Sequence, residues 1–125
     1  MKYSTKSKKS VQEVVDSIVR NSKKRDFGVM NIYDVHNMLH SKGASFTGDC
    51  QVLDISNPHH VLNLLSTSMD MSMILPSKVF IHSENGETVI SMIKAKQFYR
   101  KFTDKLDSVA DEVEKEMIAI IDSSK

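Results

Sequence analysis

Val11, Val14, Val15 and Ile18 recur every three or four positions, the spacing that turns one apolar stripe of a helix towards a core. Ser10 and Glu13 stand just before them at capping-box spacing. The Ser10 hydroxyl can accept from the Glu13 amide while the Glu13 carboxylate accepts from the Ser10 amide. A helix over 11–24 is predicted, with Lys23, Lys24 and Arg25 suited to the negative end of its dipole. Ahead of it, Lys2 to Ser7 alternates polar residues around Tyr3 and Thr5, as an edge strand does. Asp26-Phe27-Gly28 breaks the helical period, and Val29 to Tyr33 reads as a strand. Asp34 then caps a short helix over 35–42, with Val35, Met38 and Leu39 inward and Gly43 as its stop.

After a loop over 44–49, Cys50 to Ile55 reads as a strand. Asn57 caps the next helix, and Pro58 takes its first position, where a missing N–H does no harm. Val61, Leu62, Leu64 and Leu65 are its expected buried face. Residues 66–76 carry no clear period, and Leu75-Pro76 ends any helix there. Val79-Phe80-Ile81 and Thr88-Val89-Ile90 flank Asn85-Gly86, a hairpin signal. A single long helix is expected from about Ala95 to Asp122. Its stripe comprises Phe98, Phe102, Leu106, Val109, Val113, Met117 and Ile120. The implied class is α+β: two layers, a largely antiparallel sheet of about five strands packed with helices, plus the long C-terminal helix. Residues 1–94 form the α+β unit, and residues 95–125 form a helix packed on it or extending it.

At 125 residues the chain matches one domain able to bury a single core. It has no apolar run of membrane-spanning length, and its basic N-terminus lacks the apolar stretch of a signal peptide. Cys50 is the only cysteine, so no intrachain disulfide can form. These features fit a cytoplasmic protein. Residues 1–25 hold eight Lys or Arg and two acids, whereas residues 101–125 hold four Lys and seven acids. The basic block lacks interleaved aromatics, so the expectation is no nucleic acid and no membrane as partner. Instead, the first helix would lie near the acidic last one, within the chain or across a dimer.

Chemistry is sparse. His36 and His40, four apart on one predicted helix, have the spacing of two Zn or Cu ligands. Asn37 occupies the place where a metalloprotease motif needs glutamate, and a solvated helix face is the plainer explanation of the pair. His59 and His60 fall in the first turn after Asn57-Pro58, where free N–H groups and the helix dipole could hold an anion beside Ser56. Met69, Met71 and Met73 alternate, a spacing open to Cu(I) but commoner in a flexible core filler. Cys50 is expected to be inert. It lies roughly 20 Å from Ser56 along the strand. There is no Gly-rich phosphate loop and no G-x-S-x-G elbow. A hydrolase or transferase would have to use Ser56 or Ser77 with His59 or His60.

The order of these features resembles the domain-of-unknown-function 302 family, small α+β domains with a fold similar to the TATA-binding-protein class. The features are Tyr3 with Ser7 to Ser10, Phe27-Gly28-Val29, Leu39 to Gly43, Asn57-Pro58, and Leu75-Pro76 before Val79-Phe80-Ile81 with Asn85-Gly86. The resemblance runs from Tyr3 to about Ile93, with the C-terminal helix outside it, and it implies no assigned activity. It implies a homodimer. Separately, the C-terminal stripe, roughly 33 Å long at 1.5 Å per residue, is expected to overhang strands of about 17–20 Å and to leave Val113, Met117, Ile120 and Ile121 for the dimer interface. Many members carry a cysteine before Asn-Pro and another after Leu-Pro. Ser56 and Ser77 stand there in this chain, and a hydroxyl cannot replace a thiolate as a soft-metal ligand or disulfide partner.

The resulting expectation is a homodimeric domain that binds a small ligand or a protein and needs no cofactor. Its pocket would be built from Ser56, Asn57, His59, His60, Pro76 and Ser77, with Ser56 and Ser77 as neighbours. The alternatives are a Zn or Cu protein using His36 and His40, and a small hydrolase.

Overall fold

Side-chain caps start the helices where the sequence places them. In the computed structural model, which describes residues 1–125, the Ser10 hydroxyl accepts from the Glu13 amide and the Glu13 carboxylate from the Ser10 amide, both at 3.1 Å. They open α1 (Val11–Lys23), which follows β1 (Lys2–Ser7). After β2 (Gly28–Asp34), the Asp34 carboxylate accepts from the Asn37 amide at 2.9 Å and starts α2 (Val35–Ser41). Then come β3 (Cys50–Ser56), α3 (Pro58–Thr67), a 3-10 helix (Met69–Ile74) and β4 (Ser77–Glu84). The turn into β5 (Glu87–Ile93) has Asn85 at φ 51° and Gly86 at φ 81°, the double positive φ of a tight hairpin. Two helices close the chain, α4 (Ala95–Tyr99) and α5 (Asp107–Ser124).

The strands form one antiparallel sheet in the order β1-β5-β4-β3-β2. Period-two alternation sends Leu53, Ile55, Val79, Ile81 and Ile90 to one face, each fully buried. Val14, Val15 and Ile18 of α1 and Val113, Met117 and Ile120 of α5 join them in one core. The opposite face is only half covered. Tyr33, Val52, Phe80, Ser91 and Ser4 lie there in one row across all five strands, and none of them is buried. The class is therefore α+β in two layers.

Three expectations need correction. The C-terminal stripe does not belong to one helix. The chain turns between Tyr99 and Asp107, where the Thr103 hydroxyl accepts from the Lys105 amide and competes with helical bonding. Arg100 then grips Asp107 across the break with two hydrogen bonds of 3.0 and 2.7 Å. In α3 the buried side chains are His60 and Leu64, while Leu62 is 65% exposed. Finally, Val113, Met117, Ile120 and Ile121 do not overhang the sheet. All four are buried within the single chain, and α1 helps to cover that end. Asn21 donates there to the Ser123 carbonyl at 3.2 Å and to the Ser124 hydroxyl at 3.0 Å. No ion pair joins Lys23, Lys24 or Arg25 to the acids of α5.

Candidate functional site

An apolar pocket lies where β4 begins and β5 ends. It is a cavity of about 180 Å³, and 11 of its 15 lining residues are hydrophobic. The 3-10 helix supplies Met73 and Ile74, β5 supplies Met92, α4 supplies Phe98 and Tyr99, and α5 supplies Met117. Pro76 and Ser77 stand in its wall, with Lys78 and Glu114 as its charged lining residues. Ser77 and Tyr99 provide its neutral polar groups. Burial pushes the Tyr99 phenol up, while the nearby Ser77 hydroxyl acts the other way.

The six residues expected to form one pocket divide over three places. Ser77 pairs with Ile55 across β3 and β4, so Ser56 sits one residue further along the neighbouring strand. Ser56, Asn57, His60 and Ser77 all border a void of only about 10 Å³, against Tyr99 and Val113. Ser56, Asn57 and His59 also line an open hollow with Gly28 and Met30. Pro76 faces the apolar cavity alone of these spaces.

The first turn of α3 has no donor to spare for an anion. Asn57 Oδ1 accepts from the His59 amide at 2.9 Å and the His60 amide at 3.3 Å, the Val61 amide donates to the Asn57 carbonyl, and Pro58 has no N–H. Nor does either histidine hydrogen-bond to a serine hydroxyl. His60 Nε2 lies 3.2 Å from Glu116 Oε2, and His59 is exposed.

His36 and His40 share one face of α2, with rings stacked 6.2 Å apart and 4° from parallel. His36 Nδ1 lies 2.7 Å from the Gly48 carbonyl, so it donates there and leaves Nε2 as the acceptor. The three methionines separate: Met71 is fully buried, while Met69 and Met73 are 69% and 66% exposed. Burial, with Asp34 as a lesser cause, pushes the Cys50 thiol up and away from the reactive thiolate. Tyr99, Phe98 and the carboxylates of α5 were not foreseen at any site, and Met117 was expected at a dimer interface rather than in a pocket wall. Only the four-residue spacing of Glu112 and Glu116 hinted at one helix face.

No helix is long and apolar enough to cross a membrane. No curated protein matches the chain. Among solved structures, it is similar to that of the uncharacterized conserved protein DUF302 from Bacillus stearothermophilus. The two are 26% identical, with a TM-score of 0.94 over 99% of this chain and 98% of the other. A family model described as "Domain of unknown function DUF302" matches residues 3–124, and so takes in α4 and α5 as well as the stretch up to Ile93. With the match spanning nearly every element from β1 to α5, the chain belongs to the DUF302 family.

Proposed function

We propose that the chain is a binding domain for a small apolar molecule carrying one hydrogen-bonding group, held in the cavity between the 3-10 helix, the sheet end, α4 and α5. The observation that carries this reading is an apolar cavity of about 180 Å³ with the Ser77 and Tyr99 hydroxyls at its wall. A dry cavity of roughly 150 Å³ is enough to take benzene, so the fitting ligand has about the bulk of one aromatic ring. Apolar walls supply affinity, and a few polar groups fix orientation. The reading keeps Pro76 and Ser77 from the expected pocket and replaces the rest with residues of α4 and α5. As a homodimer, the chain would associate through the half-covered sheet face, where Tyr33, Val52 and Phe80 share one row.

Calorimetric titration with phenol and with benzene tests the binding reading. Both are expected to bind. Ser77→Ala is expected to weaken phenol by about three- to tenfold, the worth of one neutral hydrogen bond, and to leave benzene unchanged. No heat from either compound rejects the proposal.

A further inference from the structure

We propose that His60, Glu112 and Glu116 form a site for a first-row divalent cation of the zinc type, between α3 and α5 and apart from the apolar cavity. Glu112 and Glu116 stand one turn apart on the same face of α5, and His60 meets them from the first turn of α3. One donor atom from each lies within 4.8 Å of the others, and no other three His, Cys or acidic residues in the chain do so. Zinc bonds of about 2.0–2.2 Å in a tetrahedron put ligand atoms roughly 3.3–3.6 Å apart. His60 Nε2 and Glu116 Oε2 are already 3.2 Å apart. Glu112 is exposed, so a rotamer change can bring it in.

Two further observations bear on the site. The first is charge. Neither Glu112 nor Glu116 pairs with a lysine or arginine, so two carboxylates stand together with only an imidazole for company. A divalent ion would neutralise them. The second is the ring itself. His60 is 4% exposed, and its Nδ1 is buried without a hydrogen-bond partner.

Nε2 faces the Glu116 carboxylate, and Nδ1 lies on the opposite edge of the ring. Metal at Nε2 places the ring proton on Nδ1, and a ligating histidine needs an acceptor for that proton. His60 borders the void of about 10 Å³ together with Ser56, Asn57 and Ser77. That is close to the room one water needs, and a water there could take the bond. One nitrogen and two oxygens suit zinc, and three protein donors leave a fourth position open to water.

Equilibrium dialysis of the intact protein against Zn²⁺, followed by metal analysis, tests the site. Co²⁺ absorption then reports the coordination geometry. One equivalent is expected, with affinity reduced about tenfold or more by Glu112→Gln and by Glu116→Gln and unchanged by His36→Ala. Glu112 is exposed, so Glu112→Gln keeps the fold, which circular dichroism checks. Absence of stoichiometric zinc overturns the proposal. So does equal affinity in Glu112→Gln and wild type, or binding lost in His36→Ala.

Discussion

Asn57 does more local work than any other side chain near the site. It is 8% exposed, its side-chain Oδ1 accepts from two amides of the first turn of α3, and that turn aims His60 inward. Asn57→Ala is expected to cost about 1 kcal/mol of stability in chemical denaturation, the usual worth of an N-cap. This cap was readable from Asn-Pro alone, as was the Asn85-Gly86 turn, because both depend on adjacent residues. The burial of His60 was not readable. Its partner Glu116 lies 56 positions away, and a histidine gives no apolar signal to a periodicity count. Cys50 was read as inert and carries a testable consequence. Because its thiol is pushed up, less thiolate exists at neutral pH than in a free cysteine. Its reaction with a disulfide reagent is expected to be slower than that of a small thiol at pH 7, and to accelerate into the alkaline range.

The break between α4 and α5 shows how an element can be misread. Phe98, Phe102, Leu106 and Val109 keep helical spacing straight through it, so the period alone predicts one helix. Thr103 and Asp104 favour local hydrogen bonding instead, and Phe102 ends 43% exposed. Folding α4 back towards α5 sets Tyr99 beside Ser77, which is why the cavity was illegible in the sequence. Arg100 spans the break. Its hydrogen bonds hold the Asp107 carboxyl below its ordinary value. A depressed acid contributes stability above its unfolded pKa and loses it as pH falls through its folded value. Wild type is therefore expected to exceed Asp107→Asn in melting temperature at pH 7, with the gap shrinking on acidification below the ordinary carboxylate range. A gap independent of pH would show that the pair does not link the helices.

Across the whole molecule, the sheet order and two-layer packing follow from strands and helices that were mostly legible, because alternation and capping are local. What the sequence could not show is which apolar residues are already covered. Met117 and Ile120 serve the monomer core, at 3% and 0% exposure. Met117→Asp/Ile120→Asp is therefore expected to unfold the chain rather than split a dimer, since it buries charge without partners. Tyr33→Asp/Val52→Asp on the half-covered face is expected to keep the helical content. Light scattering with circular dichroism separates the two behaviours. Loss of a dimer with full helicity in the Met117→Asp/Ile120→Asp protein would reverse the assignment.

The binding reading rests on where a ligand sits, and the methionines report that directly. Met73, Met92 and Met117 line the apolar cavity, whereas Met30 lines the hollow beside Asn57 and His59. In a methyl NMR titration with phenol, saturable shifts are predicted at Met73, Met92 and Met117 with Met30 unmoved. Shifts centred on Met30, or none at the three cavity methionines, would contradict the account.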